Sequence, residues 1–246
     1  MKKIALVNHK GGVGKTTSAI SIAAGLAATG KKTLLVDTDP QCNATEALGF
    51  FDLEKSIYDA FTKDEPLPIL VYNKNLHVVP SSLDFAGIEI EISTRLAREK
   101  VLQGLLEPLE NDYDFCIIDC PPSLGIITLN VLAVTNEVYI PMSAEPFALT
   151  GIDSIVGVIE QVKKYYNPTL AIKGVFFTEF NPLRVLSREI KKQLSESIGN
   201  ILMEENIRVS VALAEGQSVG KDIFTYDTES NGAKDYNALV NEILKR

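Results

Sequence analysis

Residues 9–17 read HKGGVGKTT and crowd three glycines, two lysines and two threonines into nine positions. Gly11, Gly12 and Gly14, with Val13 between them, allow the backbone to curl so that its N–H groups face inward around an anion. Lys15 is placed to reach the β and γ phosphates of a nucleoside triphosphate. The Thr16 hydroxyl is placed to ligate Mg²⁺, and Thr17 lies close to the α phosphate. The tail fits the phosphate-loop pattern G-x-x-x-x-G-K-[ST], but the first glycine of that pattern falls on His9, and a second lysine, Lys10, follows it. Two cations this close repel unless negative charge lies opposite. A phosphate bound by a facing subunit would supply that charge, and a lysine given in trans stabilises transition-state charge as an arginine finger does. By spacing alone Lys10 is also compatible with a solvated surface lysine.

Three aspartates extend the same chemistry. Residues 33–36 end in Asp37-Thr38-Asp39-Pro40, and residues 115–118 end in Asp119-Cys120-Pro121-Pro122. Asp119 after four apolar residues reads as a carboxylate that binds Mg²⁺ directly or through water. Asp39 is placed to orient an attacking water and Asp37 to support the metal shell. Both are also the residue type that makes turns and helix caps.

The elements that must carry these groups alternate along the chain. Short apolar runs at 4–7, 33–36, 77–79, 115–118, 138–140 and 174–177 read as strands buried on both faces. Helices are expected at 16–29, 88–108, 124–134, 149–165, 182–199 and 231–245. This rhythm specifies an α/β fold: a single-domain P-loop architecture over residues 1–246, with a mostly parallel, twisted sheet and helices on both faces. In such sheets ligands sit beyond the carboxyl ends of the strands, where the loop and the aspartates fall. Of 246 residues, 46% are hydrophobic and 23% charged, and the net charge is -8. Binding to nucleic acid or anionic lipid therefore needs a local basic patch. The apolar run after Lys2-Lys3 is too short for a secretory core, and three cysteines without metal spacing fit a reduced, cytoplasmic setting. Two histidines exclude a histidine-rich metal site.

The segment KGGVGKTT resembles the deviant Walker A motif of the ParA/MinD ATPases, with Lys10 at their signature lysine. The resemblance continues through VDTDPQCNAT (36–45), VVPSSLDFAGIEIE (78–91), DYDFCIIDCPPSLG (112–125), IPMSAEPFALTGI (140–152) and IRVSVALAEGQSVGKDIFTYDTESNGAKDY (207–236). Together these favour the ParA/Soj partition branch over MinD. The resemblance implies ATP and Mg²⁺ as cofactors and an ATP-bound sandwich homodimer in which Lys10 reaches the other subunit's nucleotide. It also implies slow hydrolysis stimulated by a ParB-type centromere-binding protein, non-specific double-stranded DNA binding, and a nucleoid-associated place in chromosome or plasmid segregation. The adenine contacts are implied in residues 205–213. Cys42 replaces the family's usual glycine, Ser210 stands where an acidic residue is common, and no N-terminal helix-turn-helix extension is expected.

Residues 182–199 offer the basic patch. Leu183, Leu186, Ile190 and Leu194 form a stripe expected to face the core, while Arg184, Arg188, Lys191 and Lys192 share the opposite face. Lys163, Lys164 and Arg208 would extend it. The alternative is a MinD-like positioning ATPase that works on a membrane or protein surface without DNA. Its amphipathic tail would have to be the stripe Tyr236, Leu239, Val240, Ile243 and Leu244, for which core packing is the better use.

Overall fold

The computed structural model describes residues 1–145 and 148–246, apart from the side chains of 148–150. The motif at 140–152 therefore lies partly outside the described residues. Strands β1 (Lys2–Leu6), β2 (Thr33–Asp37), β3 (Leu70–Val71), β4 (Leu76–Val79), β5 (Phe115–Asp119), β6 (Glu137–Ser143) and β7 (Ala171–Thr178) form one sheet in the order β3-β4-β2-β5-β1-β6-β7. Only the two-residue edge strand β3 runs antiparallel to its neighbour β4. The helices are α1 (Lys15–Ala28), α2 (Asn43–Ala47), α3 (Ile57–Lys63), α4 (Ile88–Glu91), α5 (Val101–Leu106), α6 (Ile126–Val134), α7 (Ala148–Tyr165), α8 (Val185–Ile198), α9 (Val211–Ser218), α10 (Ile223–Tyr226) and α11 (Asn231–Lys245).

Alternation within each strand divides the core between the two faces of the sheet. Ala5, Val36, Ile118 and Val138 face one layer, which includes α3, α5, α6 and α7. Ile4, Leu35, Ile117 and Tyr139 face the other, where α1 and α11 pack. The C-terminal stripe is core: Tyr236, Leu239, Val240 and Ile243 are buried, and only Leu244 emerges at the edge. α1 and α11 approach closely because residue 25 has no side chain; a Cβ there would stand 2.8 Å from Cγ2 of Val240. None of the described helices is long and apolar enough to cross a membrane.

Two expected helices are corrected. The stretch 88–108 is not one helix: α4 stops at Glu91, and Ala97 adopts a left-handed φ of 54° before α5 begins. The break is stabilised from outside, by Asn130 of α6. Its Nδ2 donates to the Arg98 carbonyl at 2.8 Å and its Oδ1 accepts from the Leu102 N–H at 3.2 Å. Ser93 and Thr94 in the break are also poor interior helix formers. The helix expected at 182–199 starts only at Val185, since residues after Asn181-Pro182 first make a turn in which the Asn181 side chain accepts from the Leu183 N–H at 2.9 Å. That turn rotates Leu183 and Leu186 out of the core. They are 84% and 48% exposed, and Ser187, Ile190 and Leu194 make the buried face instead.

Gly25→Val should overpack the α1–α11 contact and cost about 1–3 kcal/mol. Urea unfolding of the variant checks this, and an unchanged midpoint would contradict it.

Candidate nucleotide site

The loop between β1 and α1 is fixed from both sides. Asn8 Nδ2 donates to the Pro141 carbonyl at 2.8 Å, and Asn8 Oδ1 accepts from the Lys10 N–H at 3.0 Å. Gly14 has φ 74°, and a Cβ there would meet Thr178 Cγ2 at 3.3 Å, so glycine is needed for conformation and for space. The Thr178 hydroxyl lies 3.0 Å from the Val13 carbonyl and 3.2 Å from the Met142 carbonyl, tying the loop to the ends of β6 and β7. Gln217 of α9 donates to the Thr17 hydroxyl at 3.2 Å. Thr178 and Gln217 escaped the sequence reading; the only signal for either was its place at a strand end or in the 207–236 segment.

The two lysines point in different directions. Lys15 is buried, and its Nζ donates to the Lys10 carbonyl at 3.2 Å, curling back over the loop. Burial holds its pKa below the ordinary lysine value, against the opposing pull first of Asp119 and then of Cys120 and Asp39. Lys10 reaches outward to the rim, where its Nζ lies 2.5 Å from Glu145 Oε2 with both side chains about half exposed.

Asp37 and Asp119 are register partners on adjacent strands β2 and β5. Asp37 is fully engaged. One oxygen accepts from the Asp39 N–H at 3.0 Å, and the other from the Thr45 N–H and hydroxyl at 2.9 and 2.7 Å. It braces the turn before α2 with both oxygens, beside the Asp119 carboxylate on the neighbouring strand. Burial pushes the Asp37 pKa up to about 6, against the pull of the Thr45 bonds. Asp119 is different: neither of its buried oxygens makes a well-formed hydrogen bond among the described residues, and the Thr16 hydroxyl beside it interacts only loosely. Burial drives its pKa well above the usual carboxylate range, the charge of Asp37 adds to this, and Thr16 and Lys15 oppose it. Asp39 Oδ1 accepts from the Gln41 N–H at 3.0 Å, and Asp39 lines the cleft beside the loop.

Gly14, Lys15, Thr16, Thr17 and Asp39 line a cleft of about 710 Å³ that also includes Gly11, Gly12, Glu179 and Gln217, while Asp37 and Asp119 are fully buried and do not line it. A second, smaller hollow beside it is bounded by Ile207, Arg208, Val209 and Ser210, inside the stretch expected to hold adenine. The residues fit Mg²⁺ and a nucleoside triphosphate. A buried carboxylate without a well-formed hydrogen bond is the group a divalent cation would satisfy, and the Thr16 hydroxyl that the loop motif assigns to the metal stands beside it. No group of three His, Cys, Asp or Glu forms a metal cage among the described residues. Mg²⁺ is commonly held by one or two protein ligands and takes the rest from phosphates and water.

The basic stripe is smaller than expected. Arg184 and Lys192 are exposed, and Arg188 is exposed while donating to the Pro182 carbonyl at 3.0 Å. Lys191 instead folds back: its Nζ donates to the Glu204 carbonyl at 3.3 Å and lies 5.6 Å from the Phe180 ring centroid. Arg208 is forked onto Asp235, with a closest contact of 2.6 Å. Lys163 pairs with Glu160 at 3.6 Å. Among the described residues, the cations of the stripe that are exposed and lack an acidic partner are thus Arg184, Arg188 and Lys192.

A phosphate loop between the first strand and helix, facing an acidic residue at the end of the central strand of a parallel sheet, defines a P-loop nucleotide hydrolase. Residues 1–172 match the AAA domain family. The chromosome-partitioning ATPase Soj of Treponema pallidum (strain Nichols) is 40% identical over 248 residues, spanning 100% of this chain and 98% of that protein. Cobyrinic acid a,c-diamide synthase from Mycobacterium smegmatis, solved with an ATP analogue and magnesium, superposes with a TM-score of 0.87 at 30% identity, covering 100% of this chain and 95% of that one. A putative plasmid partition protein from Borrelia burgdorferi B31, bound to AMPPNP, gives 0.82 at 25% identity over 99% of this chain and 98% of that one. The chain belongs to the ParA/Soj family of P-loop ATPases.

Asp119→Asn should stabilise the ligand-free protein by about 1 kcal/mol or more at pH 7, by removing a buried carboxylate that must ionise or stay protonated against the solvent. Because the folded pKa of Asp119 is raised, wild type loses this stability as pH climbs above the unfolded value near 3.8. The advantage of the variant should accordingly grow between about pH 4.5 and pH 7. Urea unfolding at the two pH values measures it; a constant difference would contradict the assignment. The variant should also lose the stabilisation that Mg²⁺ adds to ATP binding.

Proposed function

We propose that this protein is an ATP-dependent dimerising ATPase of DNA segregation, and that its nucleotide site is completed by a second copy of the chain. The observation that carries this reading is the divergence of Lys10 and Lys15. One lysine turns into the loop, and the other extends from its rim on an exposed ion pair that is worth little in water. A phosphate presented across an interface would outcompete Glu145 for Lys10.

Each residue then has a task. The N–H groups of 11–15 and the N-terminal end of α1 orient the phosphates. Lys15 neutralises the β and γ phosphates, and Thr16 with Asp119 holds Mg²⁺, which supplies charge neutralisation at the phosphates. Asp39, pinned through one oxygen, uses the other to position water. The in-trans Lys10 stabilises charge that develops on the transferred group. Two copies of the Arg184–Arg188–Lys192 patch, joined in the dimer, sum weak phosphate contacts into useful DNA affinity without reading sequence. Hydrolysis dissolves the dimer and releases DNA, and a ParB-type protein accelerates this step. The name of the Treponema pallidum relative and of the Borrelia burgdorferi neighbour supports the segregation role.

Lys10→Ala should leave ATP binding to the monomer within about twofold while abolishing the ATP-dependent dimer, because only the trans contact is removed. Asp39→Ala should slow turnover by about a hundredfold and accumulate the dimer. Light scattering with ATP and with ADP reads both, and an ATP-dependent dimer of Lys10→Ala would refute the role of that residue. In anisotropy titrations of a random duplex, Arg184→Glu/Arg188→Glu should abolish ATP-dependent binding while Arg208→Ala changes it little. A dimer that forms yet ignores DNA would move the reading to a MinD-like positioning ATPase.

A further inference from the structure

A nucleotide that lays its phosphates on the glycine-rich loop and its base in the hollow of about 160 Å³ at residues 207–210 must place its sugar where the two cavities meet. Gly14, Thr17, Glu179 and Gln217 border both cavities. Gly14 offers no side chain there. The Thr17 hydroxyl and the Gln217 amide are bonded to each other at 3.2 Å. Glu179 is the charged group at this junction. It is exposed, and its carboxylate makes no hydrogen bond or ion pair among the described residues.

The backbone holds Glu179 in place. It follows β7 with a left-handed φ of 51°, a conformation that residues with long side chains seldom adopt. Its neighbours on both sides are anchored. The Thr178 hydroxyl is tied to the Val13 and Met142 carbonyls. Phe180 is buried, and its N–H donates at 2.8 Å to the carbonyl of Ile207, a residue in the wall of the base hollow. Residue 179 is thus held at the junction by contacts to the loop on one side and to the base hollow on the other. Backbone strain of this kind, kept at an unpaired acidic group in a cleft, points to a working position.

We infer that Glu179 accepts hydrogen bonds from the ribose hydroxyls of the bound nucleotide and so selects ribonucleotides over 2′-deoxyribonucleotides. A carboxylate offers only acceptors, and its two oxygens match the adjacent hydroxyls of a ribose. The same negative charge is unfavourable near phosphates, so at this junction it lowers affinity unless hydroxyls engage it. A site that bonds a substrate hydroxyl rejects the analogue without it, because the bonding group is then left unpaired. Glu179 is exposed, so water replaces part of the lost bond and keeps the discrimination modest. This role of Glu179 rests on the proposed ATPase reading and adds to it the residue that chooses among sugars.

Calorimetric titration of the full chain with ADP, 2′-deoxyADP and GDP, each with Mg²⁺, tests this without turnover. Wild type should bind ADP about tenfold more tightly than 2′-deoxyADP, as loss of a charge-assisted hydrogen bond requires. Glu179→Ala should bring the two within about twofold, chiefly by weakening ADP, and Glu179→Gln, which keeps an accepting oxygen without the charge, should fall between. Equal affinity of wild type for ADP and 2′-deoxyADP would overturn the ribose contact and leave the nucleotide reading standing. A preference for ADP over 2′-deoxyADP that survives unchanged in both variants would overturn the assignment to Glu179. If the variants instead changed only the preference for ADP over GDP, the carboxylate would serve the base and the ribose contact would fall. Wild type that binds none of these nucleotides would overturn the ATPase reading, and the role of Glu179 with it.

Discussion

Asp119 sits buried at the end of the central strand, with Asp37 beside it on one neighbour and Lys15 at the start of α1. Stripping a carboxylate of water without giving it full hydrogen bonding in return costs on the order of several kcal/mol. The surroundings reduce that cost without removing it. Lys15 pulls toward ionisation and is itself held below its ordinary pKa by burial. The ligand-free site therefore holds charges in poor balance, which a divalent cation and a polyphosphate would correct together. That imbalance is the physical reason to read this cleft as built for Mg²⁺ and a nucleotide rather than for stability.

The fold serves this arrangement at several points. Parallel strands deliver β1, β2 and β5 to the same edge, so loop, Asp39 turn and Asp119 converge without long connections. Thr178 and Asn8 tie the glycine-rich loop to β6 and β7, limiting the freedom that three glycines would otherwise confer. Asp37 spends its charge on the turn that carries Asp39, through the Asp39 N–H and both donors of Thr45. The conformation of the Asp39 turn is thus fixed by a neighbouring buried acid. Beyond the cleft, Lys10 remains on an exposed ion pair, available for exchange with a stronger anion.

The sequence made the site legible where a residue type has one inexpensive explanation. A glycine-rich loop ending in Gly-Lys-Thr between a strand and a helix, and an aspartate after four apolar residues, leave little freedom. It was less legible where tertiary contacts choose among equivalent local options. Asn130 breaks the helix expected at 88–108, and a turn after Pro182 exposes Leu183 and Leu186 despite their helical spacing. Lys191 and Arg208 count as basic residues in any sequence tally, but Glu204 and Asp235, distant in the chain, engage them. The motif suggests water for Asp39 and the metal shell for Asp37; only the bonds to Thr45 and Gln41 show that Asp37 engages both oxygens within the protein while Asp39 engages one. Gln217 reaches Thr17 across 200 positions, which no local pattern discloses.

The central claim is that Lys10 acts on the nucleotide of the other subunit. The most direct measurement is ATPase activity in a mixture of two variants, Lys10→Ala and Lys15→Ala, each inactive alone. In a mixed dimer the Lys10→Ala subunit binds ATP through its own Lys15 and receives Lys10 from its partner, so one complete site is restored. Activity that appears only on mixing is the predicted result. A mixture as inactive as its components, under conditions where mixed dimers form, would contradict the account.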